Sequence, residues 1–385
     1  MTTAVIVDAV RTPLGKRNGK LAGVHPVDLA AHSLSALVER TGIDPALVDD
    51  VIMGCVMQVG DQAVNVGRNA LLAAGFPESV PGTSIDRQCG SSQQAAHFAA
   101  QGVMAGAYDI VIAAGVENMT RVPMGASFTQ GSMPFGPKML ERYPNLVPQG
   151  ISAELIAEKW GITREDNDRF SVESHKRAAR ATDEGRFDRE IVPIEVEVDG
   201  GKETMTTDEG IRPDSSMETL AKLKPAFKPD GVVTAANSSQ ITDGSAAVLI
   251  MSEEKANELG LTPRARFHEF AVSGVDPVLM LTGPIPATSK VLDRAGMTLD
   301  QIDLVEINEA FAPVVLAWEK ELHPDMSKVN VNGGAIALGH PLGASGARLL
   351  TTLLNELERT GGRYGLQTMC EGGGMANATI IERLG

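Results

Sequence analysis

Val38-Glu39-Arg40-Thr41-Gly42-Ile43-Asp44-Pro45-Ala46-Leu47-Val48-Asp49-Asp50-Val51-Ile52 aligns without a gap on Leu292-Asp293-Arg294-Ala295-Gly296-Met297-Thr298-Leu299-Asp300-Gln301-Ile302-Asp303-Leu304-Val305-Glu306. The offset is 254, the difference between positions 294 and 40. Arg40, Gly42, Asp49 and Val51 recur as Arg294, Gly296, Asp303 and Val305, with apolar residues matched between them. Each segment stops a helix on glycine, which takes the left-handed conformation at no side-chain cost, and then enters a strand. Two copies of one supersecondary unit imply an internally duplicated α/β fold.

The same offset lays Cys89 on Gly343, and Ala114-Gly115-Val116-Glu117-Asn118 on Thr368-Met369-Cys370-Glu371-Gly372. In the first half a run from Gly82 to Asp86 leads through Arg87-Gln88-Cys89-Gly90-Ser91-Ser92 into a helix over Gln93 to Met104. In the second half a strand expected over Val329 to Asn332 leads through Gly339-His340-Pro341-Leu342-Gly343-Ala344-Ser345-Gly346 into a helix over Ala347 to Glu358. Halves related by a pseudo-twofold axis bring such turns together, so Cys89, His340 and Cys370 are expected to converge. A cysteine at a helix N-terminus faces unpaired N–H groups and the positive end of the helix dipole, which favour a thiolate. Arg87 is near enough in sequence to help. A buried inert thiol is the plain alternative.

At 385 residues the chain exceeds one ordinary core. It divides into a first half (1–118 with 241–265), an inserted loop domain (119–240) and a second half (266–385). Abundant Gly and Ala with 4% aromatics suit closely packed α/β layers. A net charge of −15 argues against nucleic acid or an anionic membrane as general partners. The three cysteines form no CxxC pair, pointing to a reducing compartment and no structural zinc. There is no signal peptide, no apolar run of about 18 residues, and no peroxisomal ending at Ile381 to Gly385, so a cytoplasmic protein is expected.

Within the insertion, Arg121 to Pro148 reads as an irregular loop whose Met124, Met133 and Met139 either line an apolar acyl site or pack the loop, packing being the plainer reading. Helices follow over Ile151 to Trp160 and Thr163 to Glu184, the second opened by a Thr163/Asp166 capping box and stopped at Gly185. Ile191 to Val198 alternates like a strand. The loop from Asp208 to Asp230 carries Arg212, Lys222, Lys224 and Lys228, a candidate phosphate-binding patch or simply solvated loop charge. Asn308-Glu309-Ala310-Phe311 follows the strand Leu304 to Ile307 and reads either as part of a site or as a helix cap. Cys55 reads as core, and His97 as packing. The glycines from Gly333 to Gly346 lack GxGxxG spacing, which removes a dinucleotide site, and neither a P-loop nor a GxSxG elbow occurs.

Several of these blocks together resemble the thiolases: Arg11-Thr12-Pro13, the Cys89 turn, Gly185-Arg186-Phe187-Asp188-Arg189-Glu190-Ile191, Asn308-Glu309-Ala310-Phe311-Ala312, Asn330 through Pro341, and Cys370-Glu371-Gly372-Gly373-Gly374. The resemblance runs end to end. It implies a five-layered αβαβα fold with two duplicated halves and a loop domain, in a homodimer or homotetramer that exchanges acyl groups on coenzyme A. The implied reaction is thiolysis of 3-ketoacyl-CoA through an acyl-Cys89 intermediate, giving acetyl-CoA and a shortened acyl-CoA, as in fatty acid β-oxidation. By resemblance, His340 takes the thiol proton and then helps bind the thioester oxygen of the enolate, and Asn308 fixes a water beside it in that first oxyanion hole. Cys370 is the carbon acid and base, and Gly372 N–H joins Cys89 N–H in a second oxyanion hole. Coenzyme A is then a substrate, and neither metal nor organic cofactor is required. Ser239 matches the serine near the pantetheine, and Gln149 stands where Met is usual. Gln240 replaces a common glycine, and Pro148 a histidine of short-chain biosynthetic members. These departures, with Arg87 to Gln94, look more like thiolases degrading bulky acyl or steroid side-chain esters. Acetoacetyl-CoA formation is the alternative within the family. A non-catalytic scaffold or lipid carrier lies outside it, and a decarboxylating ketosynthase would want a Cys-His-His arrangement where this chain has a second cysteine.

Overall fold

A computed structural model describes residues 2–129 and 133–385; part of the 121–148 loop (130–132) lies outside the described residues. The recurring aspartates account physically for the repeat. Asp49 Oδ2 accepts the N–H groups of Asp109 and Ile110 at 2.7 and 2.9 Å, and Asp303 Oδ2 accepts those of Arg363 and Tyr364 at the same 2.7 and 2.9 Å. Each carboxylate ties the entry of one strand to the entry of its neighbour. The recurring glycines stop matching helices in the left-handed conformation, Gly42 at φ 67° and Gly296 at φ 64°.

The first half contributes β1 (Ala4–Arg11), β2 (Gly15–Lys16), β3 (Asp50–Gly54), β4 (Gly82–Ile85) and β5 (Ile110–Asn118). A separate hairpin, β6 (Ile194–Val198) with β7 (Gly201–Met205), lies in the insertion, and β8 (Thr242–Ser252) returns to the main sheet. The second half supplies β9 (Ala265–Gly274), β10 (Leu304–Ile307), β11 (Tyr364–Glu371) and β12 (Met375–Arg383). The sheet order is β10-β11-β12-β9-β1-β8-β5-β3-β4, with β2 beside β8. It is nearly a palindrome about the β1/β9 junction, where Val5 pairs Arg266 and Ile6 pairs Ala265. The partner of β4 is missing: the strand expected over Val329 to Asn332 is reduced to one bridge, Val305 to Val329. Asn330 turns away at φ 45°, and its side chain replaces the ladder, accepting from Ile307 N at 2.9 Å and donating to Ile307 O at 2.8 Å.

The helices are α1 (Pro26–Thr41), α2 (Val66–Ala73), α3 (Ser91–Met104), α4 (Pro137–Arg142), α5 (Gln149–Lys159), α6 (Arg164–Asp183), α7 (Met217–Ala221), α8 (Glu253–Glu258), α9 (Pro284–Ala295), α10 (Ala312–Leu322), α11 (Ala335–Leu338) and α12 (Ser345–Thr360). The expected Thr163/Asp166 box opens α6. Strand alternation builds the layers. Val5, Val7 and Val10 of β1 face α1, while Ala4, Ile6 and Ala9 face a middle layer. That layer holds Ala95, Ala96, Ala99 and Ala100 of α3 with Leu350, Leu353, Leu354 and Leu357 of α12, and it also touches β9, β10 and β12 through Phe267, Leu304 and Ile381. Helix α9 covers the far face of the second half through Ala287, Val291 and Leu292. The layers therefore run helix, sheet, helix pair, sheet, helix. The alanines of α3 and the glycines flanking α12 let the central helices start in backbone contact: a Cβ on Gly346 would lie 2.8 Å from Gln93 Cα, and Ala347 N donates to Ser92 Oγ at 2.8 Å.

The Arg11-Thr12-Pro13 and Gly185 to Ile191 blocks meet. Arg11 is fully buried, donates from Nε to Glu190 Oε1 at 2.7 Å and forks onto Asp208 at 2.7 and 3.0 Å. It thereby pins the insertion to β1. Met124 and Met133 are exposed rather than packed, at 56% and 65%, as is Met139.

Candidate active site

Cys89 sits in the turn between β4 and α3, one residue before the Gly90 cap. Gln88 is held at φ 48°, a strained conformation for a side-chain-bearing residue, by its N–H to Asp86 Oδ1 at 2.6 Å. The thiol is 5% exposed. Burial first, and then the charge of Glu371, push it up to about 12, against the opposing pull of the Cys89 and Gly372 N–H groups. This corrects the expected resting thiolate: desolvation outweighs the helix terminus. Arg87 does not help either, since its guanidinium points to Met375 Sδ at 3.9 Å.

His340 lies on the turn between α11 and α12, 3% exposed. Burial, with the Arg348 guanidinium second, pulls its imidazole down to about 3, so the ring is neutral. Its Nδ1 is 2.5 Å from Ser345 Oγ, which donates to Pro341 O at 2.9 Å. Because the hydroxyl proton goes to Pro341, Nδ1 carries the ring proton and Nε2 is left as an acceptor. Asn308 Nδ2 stands 3.4 Å from that Nε2. An amide donor and a ring nitrogen thus face one locus, while Asn308 Oδ1 is buried with no protein partner.

Cys370 is the penultimate residue of β11, fully buried in a cluster with Ala153, Met280, Leu281 and Phe311. Burial, then Cys89, then Glu371 push its thiol well above the ordinary range, so the two sulfurs are within electrostatic reach of each other. Cys89 also shares an apolar cluster with Leu342 of the histidine turn and Met369 of β11. The three turns predicted to converge do converge. Gly372 faces Cys89 through its N–H, and a Cβ there would lie 2.9 Å from Gln88 Oε1 and 3.3 Å from Gln149 Nε2. Glycine at 372 keeps that approach open.

The Asn-Glu pair after β10 has two roles. Asn308 faces the site, and Glu309 clamps the chain that carries His340. Glu309 Oε2 accepts from Ser174 Oγ at 2.6 Å and Ile336 N at 3.2 Å, and Oε1 from Asn330 Nδ2 at 2.9 Å. Glu309→Ala strands these buried donors at roughly 1–3 kcal/mol each, so a loss of about 3 kcal/mol or more is expected, read as a lower urea midpoint. A wild-type midpoint would show that the clamp is dispensable. Glu117 plays a similar part in the first half, accepting from Val56 N, Met57 N, Gln62 Nε2 and Gly343 N at 2.6 to 3.1 Å.

The domain families described as thiolase N-terminal and thiolase C-terminal match residues 4–254 and 261–383. The chain belongs to the thiolase family. It is 55% identical over 393 residues to the steroid 3-ketoacyl-CoA thiolase FadA6 of Mycobacterium tuberculosis, covering 100% of this chain and 95% of that one. It is 47% identical over 392 residues to the 3-ketoacyl-CoA thiolase of Aliivibrio fischeri, covering 100% of both. The crystal structure of the Bacillus anthracis acetyl-CoA acetyltransferase superposes with a TM-score of 0.93 at 43% identity, covering 100% of this chain and 99% of that one. This thiolase is an acyltransferase.

The other expected site residues of this thiolase fall in two places. Gln149 begins α5, half-buried at the Gly372 turn, and Ser239 is half-buried with its N–H on Ala310 O at 2.9 Å. The basic patch does not form one cradle. Lys222 pairs with Glu218 at 2.8 Å along α7, Lys228 stands 4.0 Å from Glu158, and Arg212 and Lys224 carry no ion pair among the described residues. Gln240 does not face an acyl pocket: its Nε2 donates to the carbonyls of Gly210, Ile336 and Ala337 at 2.8 to 3.1 Å and so braces the histidine loop. Cys55 is core, with Gln62 Nε2 at 3.4 Å from its sulfur, and His97 is packing, with Nε2 2.7 Å from Thr379 Oγ1. Ser345 and the Glu309 clamp escaped the sequence reading of roles. The visible signal for Ser345 was a serine five positions after His340 in a glycine-rich turn.

Proposed function

We propose that the chain is a degradative 3-ketoacyl-CoA thiolase acting on bulky, steroid-type acyl chains. The observation carrying the thiolase chemistry is a pair of buried cysteines at one site beside a buried histidine whose Nδ1 faces Ser345 Oγ, and the 55% identity to a steroid 3-ketoacyl-CoA thiolase supports the bulky acyl chain. In the thiolytic direction Cys89 Sγ attacks the 3-keto carbon as its proton passes to His340 Nε2. The bond between C2 and C3 breaks, its electron pair goes to the acetyl-CoA carbon, and Cys370 supplies the proton there. Coenzyme A then attacks the acyl-Cys89 thioester and returns a proton to Cys370, and Cys89 leaves with the proton held by His340. Every proton is accounted for, and the kinetics are ping-pong. With Cys89 and His340 both neutral at rest, deprotonation accompanies attack instead of preceding it. His340, with a water fixed by Asn308, polarises the thioester oxygen of the departing enolate, and Cys89 and Gly372 N–H hold the oxyanion of acyl transfer.

Asn308→Ala is expected to lower kcat/KM for thiolysis by about 10²–10³-fold, the cost of one lost oxyanion-hole donor. An unchanged value removes Asn308 from the site. For coenzyme A, the packing of Phe227 on Gly150, next to Gln149, supports a role for the loop that carries Lys222, Lys224 and Lys228. We assign the pantetheine to Ser239 and Gln149, and the phosphates to Arg212, Lys224 and the lysines beside it. The free edge of β4 and the exposed Phe98 support a homodimer or homotetramer. Free thiols at all three cysteines support a cytoplasmic enzyme, and the proton cycle needs no metal or organic cofactor. The test is turnover of a panel of 3-ketoacyl-CoA esters from acetoacetyl to polycyclic, with intact mass of the protein. Preference for the bulky esters and an acyl adduct on Cys89 are expected. Preference for acetoacetyl-CoA would make it the short-chain enzyme.

A further inference from the structure

Glu117 and Glu371 are counterparts in the duplication, at the offset 371 − 117 = 254. Their surroundings have diverged. Glu117 is saturated by four N–H donors, including Gly343, the counterpart of Cys89. Glu371 is equally buried, yet neither of its carboxyl oxygens has a hydrogen-bond partner. It lies directly behind the nucleophile turn: a Cβ on Gly90 would strike both Glu371 Oε1 and Asn377 Oδ1. Asn377 Oδ1 is itself unpartnered, while its Nδ2 donates to Gln94 Oε1 at 3.2 Å. Two acceptors buried side by side repel unless one of them carries a proton, and an ionised carboxylate without donors is costly to bury.

We propose that Glu371 is a positioning residue of the reacting pair, neutral at rest with its O–H donated to Asn377 Oδ1, and that its protonation state sets how readily Cys89 gives up its own proton. The charged and titratable groups facing it are Asp86, Arg87 and Cys89 from the turn between β4 and α3, and Cys370 beside it on β11. Burial first raises the Glu371 carboxyl to about 8, Asp86 adding and Arg87 opposing. The sign follows. Below about pH 8 Glu371 is neutral and burial alone opposes a Cys89 thiolate; above it, the negative charge of Glu371 adds to burial in raising Cys89 and Cys370.

This inference rests on the acyl-Cys89 reading only for its catalytic consequence, so its test uses no acyl substrate. The rate of iodoacetamide alkylation of Cys89 in the full-length protein, followed by intact mass and peptide mapping, is measured against pH for wild type and Glu371→Gln. Wild type is expected to rise with thiolate fraction, flatten near pH 8 as Glu371 ionises, and then rise again. E371Q is expected to rise without the plateau, matching wild type in the acidic range and exceeding it several-fold in the alkaline range. Asn377→Ala removes the acceptor for the carboxyl proton, so its plateau moves to lower pH, which a merely structural role would not produce. A ratio of E371Q to wild type that does not change with pH overturns the proposal, as does a plateau that N377A leaves in place. If the plateau appears but no ester acylates Cys89, the functional reading fails and this one stands.

Discussion

Cys89→Ala is expected to abolish thiolysis, lowering kcat by on the order of 10⁴-fold or more, as removal of the attacking group does in other covalent enzymes. The size of the effect comes from the absence of a substitute. Cys370 is the other sulfur within reach, but it is fully buried in an apolar cluster and its thiol is pushed well above the ordinary range. Coulombic pressure from Glu371 acts on both cysteines, yet the Gly372 N–H that favours a sulfur anion acts on Cys89. A water replacing the sulfur would have to attack with no covalent intermediate. The check is twofold: steady-state cleavage of a 3-ketoacyl-CoA, and intact mass after mixing with that ester while free coenzyme A is withheld. Wild type should gain the acyl mass on Cys89 and C89A should gain none. Near-normal turnover in C89A would overturn the acyl-enzyme mechanism.

How much of this could be read from the chain follows from which interactions are local. Asp49 and Asp303 each bridge the starts of two strands, a demand met by one residue type at one position in each copy, so the duplication stayed visible. The turns bearing Cys89, His340 and Cys370 were legible for the same reason, being fixed by glycines inside the repeat. Protonation was not legible. A helix N-terminus can be seen in sequence, but the burial that outweighs it depends on Leu342 and Met369 arriving from the other half. The missing strand at Val329 escaped because Asn330 satisfies Ile307 with its side chain, something no alternation pattern records. The basic loop misled in part because Lys222 and Glu218, four apart on a short helix, pair locally. The difference between Glu117 and Glu371 lies entirely in what surrounds two identical residues.

Cys370→Ala is expected to separate the two half-reactions. Acylation of Cys89 by an ordinary acyl-CoA needs the thiol proton moved to His340 and a thiolate leaving group. Cys370 meets that thiolate with a proton, but a thiolate is a stable enough anion to leave without an acid and His340 can return the proton, so Cys370 is dispensable there. Cleavage of the carbon–carbon bond does need it, because the electron pair released onto the acetyl-CoA carbon must be met by a proton. A thiol held protonated by burial, and more firmly once Cys89 or Glu371 ionises, stays loaded until such a base forms beside it. Loss of a positioned acid costs about 10²–10⁴-fold, so thiolysis and the reverse condensation should fall by that factor while acyl exchange between acyl-CoA and labelled coenzyme A stays near wild type. Equal losses in both assays would make Cys370 a packing residue and leave the carbanion without a protein acid. A selective loss of cleavage fixes the division of labour: one buried sulfur forms the bond to the acyl carbon, and the other carries the proton.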